Sequence, residues 1–287
     1  MSNPYTLPAG NVQISFSGGR TSAFMLHQIL EANGTLPDRV QVLFSNTGKE
    51  MEETLDFVQE CADRWDVQIT WLEYDYDGDA KARDGKPTYR VVSHNSASRR
   101  GEPFLRVLEH RQFPPNLRSR FCSSELKVRT MKRYLKDLGW KNWHAAVGIR
   151  ADESQRVNYK NKECGDLWYP LFDAQVGKKH VSDFWKAQPF DLRLLNVGGK
   201  TPHGNCDMCF LKSEATLAAI MRDMPERADW WIEIEERFGK RFRHRGSFSE
   251  LRDFVNSQQD WLFSDEGNLC QADGGDCTGW SEPSESY

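Results

Sequence analysis

The sequence predicts an α/β protein: a doubly wound, mostly parallel sheet followed by a helical, cysteine-bearing C-terminal extension. Three observations carry this. Apolar runs of strand length recur at 12–16, 40–44, 67–72 and 144–149, amphipathic helical spacing fills the intervals, and the strand pattern ceases after Pro170. In such a sheet, ligands collect at the carboxyl ends of the strands.

The first run (Val12, Ile14, Phe16) ends in Ser17-Gly18-Gly19 and passes directly into helical spacing at Ala23, Phe24, Leu26, Ile29 and Leu30. Strand, tight glycine turn and helix N-terminus together present backbone N–H groups to a phosphate. The glycines let the backbone approach the anion, Ser17, Thr21 and Ser22 add hydroxyls, and Arg20 adds a charge. An ordinary strand-to-helix turn is the alternative, and Thr21-Ser22 completing the phrase favours the phosphate.

The second strand, Val40–Phe44, runs into Ser45-Asn46-Thr47-Gly48-Lys49-Glu50, which its position places beside the glycine turn. A helix cap, with Thr47 capping and Glu50 closing a capping box, accounts for Glu50 but not for the whole phrase. Helical spacing from Glu50 to Trp65 puts Cys61 on an apolar face, as a core residue. The third strand is 67–72. From Asp75 to Arg120 the pattern fails, which predicts long loops with short helices such as Phe104–Arg111, and loops of that length are usually functional.

The helix Ser124–Leu138 follows Arg120-Phe121-Cys122-Ser123, so Cys122 falls at a helix start, where a thiol pKa is expected to drop. The fourth strand, 144–149, opens into Gly148-Ile149-Arg150-Ala151-Asp152-Glu153-Ser154-Gln155-Arg156. Arg150 and Arg156 there suit a phosphate or sulfate, with a surface ion-pair network as the alternative. Helices are expected at Val181–Gln188, Ser213–Asp223 and Pro225–Phe238, with a Gly/Pro/His-rich loop from Gly198 to Asn205.

Cys206-Asp207-Met208-Cys209 has the spacing that lets two thiolates face one metal or form a redox pair. Zinc would need two more ligands from Cys122, His203, Cys270 and Cys277. An iron–sulfur cluster would use thiolates alone, Cys122, Cys206 and Cys209 with Cys277 or Cys270. The seven cysteines form an odd set in a chain whose default location is the cytoplasm, so a disulfide framework is not expected. No apolar run approaches a membrane span, and mean hydropathy is -0.70.

The net charge of -4 gives no global reason to expect nucleic acid, yet Lys81 to Lys136 holds fifteen Lys or Arg against four Asp or Glu. From Asp260 to Tyr287 there are seven acidic residues and no basic ones. Solvated helices and a polar tail account for both; a basic rim around an anionic substrate, covered by the tail, is the functional reading. Residues 1–175 are assigned to the α/β domain, 176–280 to the extension, and 281–287 to a disordered tail.

Five phrases in order, Ser-Phe-Ser-Gly-Gly-Arg-Thr-Ser, Asn-Thr-Gly-Lys-Glu, Cys-Ser-Ser-Glu-Leu-Lys, Gly-Ile-Arg-Ala-Asp-Glu-Ser and Gly-Asn-Cys-Asp-Met-Cys-Phe, span Gln13 to Lys212. Together they resemble the phosphoadenosine phosphosulfate (PAPS) reductase family of the PP-loop, adenine-nucleotide alpha-hydrolase-like superfamily, including members from bacteriophage genomes. The resemblance implies a five-stranded sheet that binds an adenine nucleotide, ATP or PAPS. Its phosphates would lie in the loop Ser17–Ser22 and its adenosine near Asn46–Gly48. The implied nucleotide-binding set is Ser15, Ser17, Gly18, Gly19, Arg20, Thr21, Ser22, Asn46, Thr47, Gly48, Glu50, Gly148 and Arg150.

Departures from the family pattern matter as much. The nucleophilic Glu-Cys-Gly phrase of sulfonucleotide reductases is absent, leaving Cys277 or Cys270 to replace it. Phe121-Cys122-Ser123 stands where cluster-bearing members carry adjacent cysteines. Ser-Gly-Gly-x-Thr-Ser is closer to the loop of ATP pyrophosphatases that adenylate a substrate. The resemblance therefore implies an enzyme with a [4Fe-4S] cluster on Cys122, Cys206, Cys209 and Cys277, and with Arg150, Arg156 and Cys277 as catalytic residues. One expected activity is Mg2+-assisted adenylation with sulfur transfer to an acceptor such as tRNA or DNA. The alternatives are a thioredoxin-dependent sulfonucleotide reductase and a non-catalytic nucleotide-binding protein. A homodimer is compatible with each.

Overall fold

The computed structural model describes residues 3–160 and 165–257. Cys270, Cys277 and the 281–287 tail, all named above, lie outside the described residues, as does Cys164. In chain order the elements are β1 (Val12–Phe16), α1 (Arg20–Asn33), β2 (Val40–Asn46), α2 (Glu52–Arg64), β3 (Ile69–Asp77), β4 (Lys86–Val92) and α3 (Glu102–Arg111). Then come α4 (Phe121–Ser123), a π-helical segment (Ser124–Arg129), α5 (Thr130–Asp137), β5 (His144–Ala146), a 3-10 turn (Ala151–Arg156) and β6 (Asp166–Trp168). The chain continues through α6 (Pro170–Asp173), α7 (Lys178–Ala187), α8 (Glu214–Asp223), a 3-10 turn (Pro225–Ala228), α9 (Asp229–Phe238) and α10 (Phe248–Ser257).

The expected doubly wound sheet is present, in the order β4-β3-β2-β1-β5-β6. All neighbours are parallel except β3 and β4. It has six strands rather than the five the resemblance implied. β4 falls in the segment expected to be loops, because a charged, Pro-containing, half-exposed edge strand lacks clean alternation. β6 has only three residues, below the length at which a run reads as a strand.

Successive residues of β2 feed opposite cores, as the period of two requires. Val42 and Phe44 join α1, α2 (with Cys61, as expected) and α7 on one face; Leu43 joins Val128, Met131 and Leu135 of the π segment and α5 on the other. A third core joins Tyr74 and Tyr76 of β3 and Phe104 of α3 to Met208, Phe210 and the helices α8–α10, so the cysteine-bearing segment docks at the carboxyl end of the sheet.

The helix expected over 124–138 is present, continuous from Phe121 to Asp137 but wound more widely in its first half. Thr130 donates from Oγ1 to the carbonyl of Glu125 (2.7 Å), and the wider π turns occupy Ser124–Arg129. Among the described residues no helix is long and apolar enough to cross a membrane.

Candidate active site

Gly18 stands at φ +76°, and a Cβ there would lie 2.7 Å from Cγ2 of Thr54. This position therefore requires glycine both by conformation and by space. Gly19, the N-cap of α1, has an extended backbone (φ -101°, ψ 161°). Within the turn, Ser22 Oγ accepts from Ser17 N (3.1 Å) and Ser17 Oγ (2.9 Å) and donates to the Gly19 carbonyl (2.9 Å). α1 has no side-chain cap and no acid in its first turn, so no protein side chain accepts from its leading N–H groups.

Arg20 is buried and directed toward the extension. Its Nε and Nη2 donate to Asp191 (2.7 and 2.9 Å), Nη1 donates to Thr201 Oγ1 (3.0 Å), and Nη2 also reaches the carbonyls of Leu192 and Leu194. Arg150, 1% exposed, approaches the turn from β5's side and donates from Nη1 to Thr21 Oγ1 (3.0 Å). Asp152 and Glu153 hold the Arg150 guanidinium, and Glu153 also accepts from Arg156 (2.6 Å). Gly148 lies under Ser22; a Cβ there would sit 3.4 Å from Ser22 Cα. Ser15, in contrast, is within the sheet, accepting from Gln13 Nε2 (3.0 Å).

The phrase after β2 is shaped from within. Asn46 donates to Glu73 Oε1 (2.7 Å) and the Ser98 carbonyl (2.8 Å) and accepts from Gly48 N (3.0 Å). Glu50 accepts from both Thr47 N (2.9 Å) and Thr47 Oγ1 (2.8 Å). The N-cap of α2 is Met51, not Thr47, so Glu50 braces the loop rather than closing a capping box. Gly48 (φ +77°) passes against Gly101, whose own Cβ position meets Trp230 at 2.8 Å.

Cys206 is joined to this loop. Its sulfur lies 3.4 Å from Thr47 Oγ1, and Glu50 and Cys206 form an isolated β-bridge. Asp207 donates from its backbone N–H to the Lys49 carbonyl (2.7 Å). Its fully buried carboxylate pairs with Lys49 Nζ (3.1 Å) and accepts from Trp231 Nε1 (2.8 Å). Cys209 turns back to donate to the Cys206 carbonyl (3.2 Å), while Lys212 Nζ holds the Pro202 and Gly204 carbonyls at 2.6 Å each.

Cys122, Cys206 and Cys209 all border the apolar core shared with α8–α10. Burial pushes the Cys122 thiol up to about 11 and Cys206 to about 12; the Lys127 ammonium opposes the shift at both. The lowered pKa expected for Cys122 at a helix start is thus corrected: desolvation outweighs the helix end. Among the described residues the close group of three potential metal ligands is Glu52, Asp56 and His94; Cys122, Cys206 and Cys209 do not gather that tightly. His203, the other zinc candidate, faces Lys212, Asp223 and Glu53.

Sequence reasoning missed Glu73, Lys49 and Asp207. Glu73 is fully buried, gripping Asn46, Ser98 and Arg90. A carboxylate inside Trp71-Leu72-Glu73-Tyr74 was the available signal, since a strand interior keeps a charge only when it is paired.

A nucleotide-binding α/β fold with a glycine turn at the end of β1 and a cysteine pair at the sheet's carboxyl edge is the class of protein these features define. Residues 11–164 match the phosphoadenosine phosphosulfate reductase domain, and the chain belongs to that family. An uncharacterized nin region protein of Escherichia phage lambda is 29% identical over 212 residues, covering 73% of this chain and 69% of its own. An uncharacterized protein of Methanocaldococcus jannaschii is 24% identical over 239 residues, 79% of this chain but 48% of its own, so the chain spans about half of that relative. The crystal structure of a PAPS reductase from Candida auris, in a phosphate complex, aligns at 19% identity and TM-score 0.37, over 63% of this chain and 75% of that one.

Proposed function

We propose that this chain is an adenine-nucleotide enzyme that activates an acceptor by adenylation next to a cysteine-held iron–sulfur centre, in the service of sulfur transfer. The observation that carries this reading is the union of the Asn46–Glu50 loop with Cys206: the contact from Thr47 and the Glu50–Cys206 bridge make nucleotide loop and cysteine pair one unit. A protein that merely bound nucleotide would have no use for that coupling.

In this reading the N–H groups of Gly19 to Ser22 receive the phosphates of ATP. Thr21 and Arg150 act together on them, with Glu153 orienting Arg150 and Arg156. An acceptor nucleophile attacks the α-phosphorus, the bond to the bridging oxygen breaks, and pyrophosphate leaves with its charge facing Arg150 and Arg156, with Mg2+ as the natural companion of the triphosphate. Cys122, Cys206 and Cys209 would hold the cluster, with Cys277 as a fourth ligand from outside the described residues. When bound, the cluster supplies a sulfur- and electron-bearing centre at the nucleotide loop.

One chromatogram tests this. Anaerobically purified protein receives ATP, PAPS, Mg2+ and reduced thioredoxin together. AMP with pyrophosphate supports adenylation; adenosine 3′,5′-bisphosphate instead would replace it with sulfonucleotide reduction and make Cys277 the candidate nucleophile.

A further inference from the structure

Between Arg111 and Asp137 the chain carries eight Lys or Arg and two Asp or Glu, in a protein whose net charge is -4. The fold arranges these cations. Val128, Met131 and Leu135 turn into the core beneath β2, which leaves Arg129, Lys132 and Lys136 outside it at spacings of three and four. The stripe is about 10 Å long, the distance over which one nucleic-acid strand presents about three phosphates.

Further guanidinium groups gather behind it. Arg111, Arg129 and Arg133 converge on the single carboxylate of Glu125, at 2.8, 2.8 and 3.1 Å. Arg111 and Arg133 also lie over the buried rings of Phe121 and Tyr74, at 5.4 and 5.7 Å, so these two charges back the stripe from beneath. Tyr134, between Arg133 and Lys136, and Tyr89 of β4 meet edge to face at 5.6 Å, and both rings are half-exposed. A cationic track with aromatic rings set into it is the arrangement that binds phosphodiester strands without sequence preference.

The stripe also leads to the candidate active site. Its first residue, Arg129, is two positions from Lys127, whose charge acts on both Cys122 and Cys206. The Leu126 carbonyl accepts from Ser45 Oγ (2.9 Å), at the end of β2 next to Asn46.

We propose that Arg129, Lys132 and Lys136, backed by Arg111 and Arg133 and flanked by Tyr134, bind the phosphodiester backbone of a single-stranded segment of nucleic acid and lead it to the cysteine–nucleotide centre. The binding half stands on the stripe alone; the delivery half rests on the function proposed above.

The test is fluorescence anisotropy of the full chain with labelled single-stranded RNA and DNA of the same sequence, about 20 nucleotides long, between about 50 and 300 mM salt. Affinity should fall as salt rises, and a preference between the two strands identifies the source. Lys132→Glu with Lys136→Glu should lower affinity about tenfold or more and flatten the salt slope by about 1.4, two phosphates' worth. An equal charge reversal on α7, Lys179→Glu with Lys186→Glu at two exposed positions, should leave it within about twofold, since screening confines such effects to roughly a Debye length.

No binding of either strand, or equal loss in both variants, overturns the proposal. ATP titrations of the same proteins separate the two readings. Oligonucleotide binding without any nucleotide binding sinks the proposed function and keeps the track; nucleotide binding without oligonucleotide binding does the reverse.

Discussion

The hydroxyl of Thr47 lies 3.4 Å from the sulfur of Cys206 while also donating to Glu50, across a sequence separation of 159 residues. One small side chain therefore touches both halves of the candidate active site. Asp207 reinforces the join from the next position through its buried pair with Lys49.

Thr47→Val tests that join against simple loss of the metal centre. Valine preserves the volume but removes the donor to Glu50 and the acceptor for Lys49 N (3.2 Å). Iron and acid-labile sulfide should stay at the parental level, while ATP affinity drops about tenfold, the cost of about one charge-assisted hydrogen bond. Cys206→Ser should show the opposite pattern, with iron lost. Iron assay and calorimetry on anaerobic protein read both; undiminished iron in Cys206→Ser would remove the pair from the ligand set.

The two glycines of the first turn should separate stability from binding. Gly18→Ala places a Cβ at φ +76° and 2.7 Å from Thr54 Cγ2, so it should cost about 2 kcal/mol in a urea titration. Gly19 has a backbone any residue adopts. Gly19→Val should therefore escape the backbone strain of Gly18→Ala and lose nucleotide affinity, because a side chain at this N-cap would stand beside the N–H groups proposed to hold the phosphates. Unaltered affinity in Gly19→Val would mean that phosphates bind elsewhere.

These contrasts mark what the sequence made legible. The glycine turn, the Asn46–Glu50 phrase and Cys206-x-x-Cys209 are local patterns, and each is read from neighbouring residues. The destination of Arg20 is not local: Asp191 stands 171 residues away, and nothing around Arg20 distinguishes a phosphate ligand from a tie to a distant loop. Nor was β4 legible, since an edge strand with Lys86 and Pro87 gives no buried alternation. The π turns after Cys122 depend on the Thr130 side chain competing for a backbone carbonyl, a choice that periodicity does not record.

Arg20→Lys asks what that tie is worth. A lysine can neither fork onto Asp191 nor reach Thr201 and the two carbonyls together. Breaking one side of a buried pair costs about 3 to 5 kcal/mol, and the partial exposure of Asp191 lowers the expectation to about 2 kcal/mol. Hydrogen exchange should show protection lost first at Leu192–Leu194 and Thr201. If exchange there is unchanged while ATP affinity falls, Arg20 acts on the phosphates and the tie is incidental.

Glu125 ties part of the fold's stability to pH. Burial alone would raise its carboxyl, but hydrogen bonds and charge from Arg133 and Arg129 outweigh burial and hold it below the usual 4.5. A carboxyl whose folded pKa is depressed contributes stability that is fully present above the unfolded value and is lost as pH falls through the folded one. Glu125→Gln strands three guanidinium groups around a neutral amide, and should cost about 3 kcal/mol at pH 7. The difference between parent and variant should then narrow steadily below pH 4.5, because the parent loses the same charge by protonation. Urea midpoints taken across that window measure the gap directly. A gap that holds constant down to the lowest pH would show that Glu125 acts through its shape and hydrogen bonds, not its charge.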